Sequence, residues 1–343
     1  MFTKQKIKNL IILGVVILIL SITCIFKSFF NPIVINFFVN EFDLVSIDKN
    51  ILVHFINVGQ ADAAAINLPD GKVLLIDSGS ESNNTDYVNY LKENVLHTKR
   101  NSYIDYLVLS HADMDHVGGT LKLLNEFNVG TVFLPKIASD SQGYSEIKEY
   151  VEENCSYQFL GDEFIISNKN YEVKFFEILI ETDTNSSSQI VKINCYGKSF
   201  LFVGDIDRND ENIYLSNYNQ ELDCDVLKVS HHGSSSSTSQ EWLDVTTPDY
   251  AIISVGKNNY GHPSDDVLGR LKANKIEVLR TDQDGNVLFV NGEFYDMCQL
   301  NNTFYITRLS LDYTYCVLMI NCCLIGVSVI IIFKKDKNKH LTK

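Results

Sequence analysis

SHADMDHVGG, residues 110–119, sets His111, Asp113, Asp115 and His116 within six positions, directly after the apolar run Tyr106-Leu-Val-Leu109. Two carboxylates and two imidazoles gathered in one short loop, with no Lys or Arg among them, are electrostatically costly as mere structure. A divalent metal removes that cost, because such ions take imidazole nitrogen and carboxylate oxygen together. The apolar run ahead of the motif reads as a buried strand. Gly118 and Gly119 behind it let the following helix approach closely with its free N–H groups, which favour an anion.

The same plan recurs along the chain. Leu52–Val58 is strand-like and leads into Gly59-Gln-Ala-Asp62, and Lys72–Ile76 leads into Asp77-Ser-Gly79. Lys198–Val203 leads into Gly204-Asp205, Asp225–Ser230 into His231-His232-Gly233, and Tyr250–Val255 into Gly256 and then Gly261-His262-Pro263. Helical spacing is read over Asp86–Leu96 and Val117–Phe127, and Glu277–Arg280 and Val287–Val290 read as closing strands. Short strands mixed with helices of this length predict an α/β sandwich. Groups delivered at the carboxyl ends of its strands collect at one edge, so residues distant in sequence can meet there. The candidate metal ligands are His111, Asp113, Asp115, His116, Asp205 and His231 or His232. That number suffices for two ions sharing a carboxylate.

The two ends differ from the middle. Residues 9–26 are uncharged and flanked by Lys4, Lys6, Lys8 and Lys27; residues 313–333 are uncharged and followed by Lys334, Lys335, Lys337, Lys339 and Lys343. Each stretch is close to the roughly 20 residues that cross a bilayer. Lysines on the outer side of both predict cytoplasmic termini and an external middle portion. A cleaved signal peptide is disfavoured, since no small-residue cleavage site follows the first apolar run. The expected organisation is a membrane anchor and linker over 1–40, an external domain over 41–311, and a transmembrane helix with a basic cytoplasmic tail over 312–343. The whole chain carries a net charge of −14, and the positive ends leave about −21 on the middle. Such a domain repels polyanions in general and must bring positive charge locally.

Cys155, Cys195, Cys224 and Cys298 show no CxxC pairing and read as small buried apolar residues. Ser234-Ser-Ser-Ser237 reads as either a mobile substrate loop or a polar linker.

HADMDH resembles the HxHxDH signature of the metallo-β-lactamase fold, and Leu75-Ile-Asp-Ser-Gly79 is similar to that fold's first motif. More specifically, Asn57-Val-Gly-Gln-Ala-Asp-Ala63, SHADMDHVGG, Phe202-Val-Gly-Asp205, Leu227-Lys-Val-Ser-His-His-Gly-Ser234, Asn259-Tyr-Gly-His-Pro263 and Arg280-Thr-Asp-Gln-Asp-Gly285 resemble, in order, the extracellular metallo-β-lactamase-like domain of the ComEC competence family. The likeness spans about residues 51–291. It implies an αββα sandwich and a nuclease or phosphodiesterase using two divalent ions. By the same resemblance His111, Asp113, Asp115, His116, Asp205 and His231 are metal ligands, with Asp77 orienting them. Asp62, His232 and Asn185 are supporting residues or further ligands. Lys228 and His262 stand near the site as phosphate binder or proton donor, forming with Asp115 the candidate catalytic set. On its strand alone Lys228 equally suits a solvent-facing position.

The departures are informative. Asp113 stands where many members of the fold have His, a harder donor that tilts the choice from Zn²⁺ toward Mn²⁺ or Mg²⁺. No His precedes Asp205 at the fold's third motif, where Asn185 stands nearby, so one metal position is expected to be weak. Ala61 replaces a Gly. Two apolar segments do not resemble the multi-helix channel of the ComEC family, so any DNA uptake is expected to use a separate channel protein. The expected function is a membrane-anchored hydrolase of nucleic acid or another phosphodiester. A metallo-hydrolase of a small ester, lactone, lactam or cyclic nucleotide is the alternative, and a non-catalytic metal-binding module the third reading.

Overall fold

The computed structural model describes residues 51–96, 103–137, 139–159, 165–176, 178, 183–290 and 293–296. Both apolar segments, and the boundaries expected near 40 and 311, lie outside the described residues. Among the described residues no helix is long and apolar enough to cross a membrane.

Fifteen described strands alternate with short helices and divide into two sheets. The first sheet takes β1 (Leu52–Phe55), β2 (Ala64–Asn67), β3 (Val73–Ile76), β4 (Tyr103–Val108), β5 (Asn128–Leu134) and β6 (Tyr157–Phe159). The second takes β7 (Ile165–Ser167), β8 (Tyr171–Phe176), β9 (Ile190–Cys195), β10 (Lys198–Phe202), β11 (Val226–Lys228), β12 (Tyr250–Ile253) and β13 (Glu277–Arg280). The chain then returns to the first sheet with β14 (Val287–Val290) and β15 (Glu293–Asp296), giving the order β15-β14-β1-β2-β3-β4-β5-β6. The second sheet runs β13-β12-β11-β10-β9-β8-β7. Each sheet is antiparallel on one side and parallel on the other, with β3 to β6 and β10 to β13 as the parallel runs.

Strand alternation builds the core. Val53, Phe55, Ile66, Leu74, Ile76, Val108 and Phe133 of the first sheet meet Val173, Phe175, Val191, Phe200, Phe202 and Ile252 of the second in one buried cluster. Phe55 stacks on Phe202 with ring centroids 5.6 Å apart, and Phe133 lies 5.6 Å from Phe175. Truncating such a buried phenylalanine costs about 3–5 kcal/mol.

The helices cover the outer faces. They are α1 (Asn84–Tyr90, continued by a wider turn over Leu91–Val95), α2 (Met114–Val117), α3 (Thr120–Glu126), α4 (Gln142–Asn154), α5 (Arg208–Tyr218), α6 (Gln240–Thr246), α7 (Asp265–Ala273) and α8 (Thr281–Asp284). Leu201, Leu227, Ala251 and Ile253 on the outer face of the second sheet pack against Tyr214 of α5, Trp242 and Leu243 of α6, and Val267 and Leu271 of α7. The result is the expected αββα sandwich. Cys195 and Cys224 are buried free thiols, as expected, whereas Cys155 is only half-buried, and Cys298 lies outside the described residues.

The two glycines after the metal motif serve a different close approach from the one expected. A Cβ on Gly119 would lie 2.1 Å from the Ser78 carbonyl oxygen, and one on Gly118 would lie 2.8 Å from Glu81 N. They let α2 and α3 press on the backbone that follows β3. Gly119 N–H donates to Gly79 O at 3.0 Å, so that amide is already satisfied and offers nothing to an anion.

Candidate metal centre

The carboxyl ends of the parallel strands of both sheets supply the site. Asp77 follows β3, Ser110 to His116 follow β4, Asp205 follows β10, and Ser230 to His232 follow β11. Several of these turns adopt left-handed backbone, with φ of 62° at Asp77, 50° at His231, 52° at His232 and 57° at Gly204. Consecutive left-handed histidines are strained, and strain of this kind gathers at functional sites.

Asp77 organises the metal loop from beneath. Its Oδ1 accepts from Ser110 N at 2.7 Å, and its Oδ2 accepts from Ser110 Oγ at 2.8 Å and from His116 Nδ1 at 2.8 Å. Ser110 Oγ, its proton given to Asp77, accepts from His111 Nδ1 at 3.0 Å. Both histidines therefore turn their Nε2 lone pairs away from Asp77, as ligating histidines do when a carboxylate or hydroxyl holds the other nitrogen. His232 is held in the same way, its Nδ1 donating to Ser254 O at 2.8 Å.

Asp115, His116, Asp205 and His232 each offer one ligand atom within 4.8 Å of the others. His116 Nε2 lies 3.3 Å from Asp205 Oδ1, and His232 Nε2 lies 3.2 Å from Asp115 Oδ2 and 3.8 Å from Asp205 Oδ2. His111 Nε2, His116 Nε2 and Asp205 Oδ1 are buried and have no hydrogen-bond partner. Orphaned buried acceptors are rare and costly, and a cation held by the cluster of four satisfies those of His116 and Asp205. The donor set thus fits a divalent ion.

The electrostatics agree. Burial, with the His116 imidazole nearby, lowers the His111 pKa to about 4, so that ring is neutral and free to ligate. Burial alone would lower His116 as well, but Asp205 and Asp77 outweigh it and hold its pKa well above the usual histidine range. Carboxylates that favour a proton there favour a metal cation equally. Burial works to raise the carboxyl pKa of Asp115, yet the contact with the His232 ring and the charge of His116 bring it down to about 2. Asp205, under the same opposition of burial and neighbouring histidines, is held well below the usual carboxylate range.

A model of the metallo-beta-lactamase superfamily matches residues 56–257. The chain belongs to that superfamily. ComE operon protein 3 of Bacillus subtilis is 32% identical over 253 residues, covering 69% of this chain and 32% of that protein. Competence protein ComA of Neisseria gonorrhoeae is 30% identical over 187 residues, covering 54% of this chain and 25% of its own length. Recombination protein 2 of Haemophilus influenzae is 28% identical over 241 residues, covering 68% and 28%. The expected kinship with ComEC-type competence proteins is thus carried by sequence. The chain spans about a third or less of the length of these relatives.

Within this metallo-beta-lactamase site the sequence-predicted residues fall into distinct places. His232, rather than His231, joins the cluster of four. His231 is partly exposed, its Nε2 3.9 Å from Asp205 Oδ2 and its ring 5.5 Å from that of His262. The strained turn separates these two neighbours, pointing one inward and leaving the other at the mouth. His111 and Asp113 stand together beside the cluster, His111 Nε2 3.9 Å from Asp113 Oδ2. Asn185 sits in the turn beside Thr184, its Oδ1 buried and without a partner.

Lys228 does not take the solvent-facing position that its strand equally suited. It is 5% exposed, and its ammonium donates to Asp62 Oδ2 at 2.7 Å and to Val229 O at 2.9 Å. It lines a small cavity with Asp62, Asp77 and Ser110 rather than facing solvent. Asp62 stands behind the ligands, its Oδ1 3.6 Å from His232 Nδ1.

Ser234 to Ser239 is neither a mobile loop nor a linker. Ser237 Oγ donates to Ser230 O and Ser234 O, Arg270 donates to Ser237 O and Thr238 O, and Glu211 accepts from Thr238 N and Ser239 N. The anchors lie on α5 and α7, so no local composition could reveal them.

Four supporting residues carried no such expectation. Thr184 Oγ1 donates to Asp113 Oδ1 at 2.6 Å, Ser188 Oγ accepts from Asp205 N at 3.0 Å, and Ser110 and Ser254 act as described. Ser110 was detectable as the polar residue closing its strand; the others gave no local signal.

Proposed function

We propose that this chain is a metal-dependent phosphodiesterase acting on nucleic acid, held at a membrane by its apolar ends with the metal domain on the external side. The observation that carries the hydrolytic reading is the convergence of Asp115, His116, Asp205 and His232 around buried donor atoms that lack partners. The phosphodiester reading is supported by the relatives: a competence protein and a recombination protein share this stretch of chain.

The cluster of four would hold one divalent ion, and His111 with Asp113 would offer donors to a second, more weakly bound one. Asp113 in place of His makes the set harder and favours Mn²⁺ over Zn²⁺, with Mg²⁺ also admitted. Such ions, when bound, supply Lewis acidity, activate water and neutralise charge developing at phosphorus. Asp77 fixes the direction of the His116 lone pair, and the Ser254 carbonyl fixes that of His232. Burial, with His231 and His232 close by, lowers the His262 pKa from the usual histidine range. Its ring at the mouth is placed to exchange a proton with the leaving oxygen. Lys228 acts in support: paired with Asp62, it offsets the negative charge gathered behind the ligands.

The net charge of about −21 on the middle portion favours a second reading, hydrolysis of a small ester, lactone, lactam or cyclic nucleotide. Hydrolysis of single- and double-stranded DNA by the full-length protein with Mn²⁺, Mg²⁺ or Zn²⁺, beside the Asp115→Ala protein, separates the two. Metal-dependent cleavage lost in the variant is expected. Stoichiometric metal binding without cleavage of either DNA would put the small substrate first.

A further inference from the structure

Tyr260 is 76% exposed, more than any other large hydrophobic side chain among the described residues. A single exposed aromatic is ordinary in itself. Its position distinguishes this one. The Tyr260 ring lies 5.8 Å from that of His262, the His262 ring 5.5 Å from that of His231, and His231 Nε2 3.9 Å from Asp205 Oδ2. A line of rings at aromatic contact spacing therefore leads from the metal centre to solvent.

The loop that carries the ring is braced. Asn258 Oδ1 accepts from Tyr260 N and from His262 N, both at 3.1 Å, while Asn258 Nδ2 donates to Gly256 O at 2.9 Å and to His262 O at 2.8 Å. One side chain thus ties together the backbone on both sides of Tyr260. The ring is presented to solvent by a loop already ordered, which lowers the entropy a ligand must overcome.

Charge narrows what such a ring can meet. With about −21 on the portion between the apolar ends, a nucleic acid backbone gains little from general attraction. Beyond the positive charge that bound metal would supply at the site, affinity has to come from contacts that need none, and stacking of a base on an aromatic ring is one. Inside a duplex a paired base has both faces covered by its neighbours, so along a strand it is an unpaired base that can lie on a lone protruding ring.

We propose that Tyr260 is the stacking platform for an unpaired base beside the scissile phosphate, which makes single-stranded nucleic acid the substrate. The proposal rests on the phosphodiesterase reading above. It assigns Tyr260 to substrate selection, with the loss on its removal falling in KM rather than kcat.

The test gives the full-length Mn²⁺-loaded protein two single-stranded DNAs of equal length, one intact and one with abasic units through its centre. The wild type is expected to prefer the intact strand in KM by at least about fivefold, the value of one weak base stack. That preference should collapse toward unity in Tyr260→Ala and persist in Tyr260→Phe, which keeps the ring. Binding of the same labelled strands to the cleavage-deficient Asp115→Ala protein should follow the same order, and Tyr260→Ala added to it should erase the difference. Cleavage of both strands without a preference, or with one that survives Tyr260→Ala, overturns the stacking proposal alone. Failure of the wild type to cleave either strand with Mn²⁺, Zn²⁺ or Mg²⁺ overturns the phosphodiesterase reading, and this proposal with it.

Discussion

Lys228 and Asp62, 166 positions apart, form a buried ion pair at 2.7 Å, and the second oxygen of Asp62 lies 3.6 Å from His232 Nδ1. The pair joins the β1–β2 loop to β11 and stands behind a candidate ligand. A buried pair contributes little net stability, because desolvation offsets its attraction, but stranding one charge is expensive. Lys228→Met and Asp62→Asn should each destabilise the domain by about 3–5 kcal/mol, with Asp62→Leu/Lys228→Met recovering most of the loss. Denaturant unfolding of the three variants checks this; a loss in the double variant equal to the sum of the single losses would show that the pair is not coupled.

Asp77 accepts three hydrogen bonds that aim His111 and His116. An amide at this position keeps the shape but cannot accept from His116 Nδ1 and Ser110 Oγ on its nitrogen side. Asp77→Asn should therefore weaken metal affinity about 10- to 100-fold. Chelator competition with Mn²⁺ or Zn²⁺ reads the change directly, independently of any hydrolysis.

Glu211, fully buried under the serine-rich segment, has its carboxyl pKa raised by burial to about 7, despite the bonds from Thr238 and Ser239 that favour the charged form. The native state holds this proton more tightly than the unfolded chain, whose carboxyl titrates near 4.5. The stabilisation is complete below about pH 4.5 and is lost as pH rises through 7, a change on the order of 3 kcal/mol. Glu211→Gln, neutral throughout, should flatten that fall. Unfolding free energies measured from pH 5 to pH 8 on both proteins test it, and parallel curves would refute the assignment.

Gly119 has room for hydrogen only, since a Cβ there would stand 2.1 Å from the Ser78 carbonyl oxygen, a backbone atom with little freedom to move. Gly119→Ala should cost about 1–3 kcal/mol by forcing α3 from the turn that carries Asp77. Thermal unfolding gives the cost, and metal titration should show a parallel loss because the displaced turn holds His116.

Much of this was legible in the chain itself. The runs before Asp77, Ser110, Asp205 and His231 read as strands, and each proved to end just before its polar group. The helix expected over Val117–Phe127 is instead α2 and α3, broken where Gly118 and Gly119 meet the preceding turn. The longer helices α4, α5 and α7 were not singled out, because their apolar residues are few and their polar faces wide.

The sequence by itself determined the sandwich, the family, and the gathering of Asp and His at the ends of the parallel strands. Those features follow from side-chain chemistry and local periodicity, which act over a few residues. Tertiary structure alone decided that His232 turns inward while His231 stays at the mouth, that Lys228 meets Asp62, that Glu211 and Arg270 clamp the serine-rich segment, and that Tyr260 stands in solvent at the end of a line of rings. Each depends on a backbone turn or a partner many residues away. A strand position states where along the sheet a side chain begins, but the loops packed against it decide what its polar atoms meet.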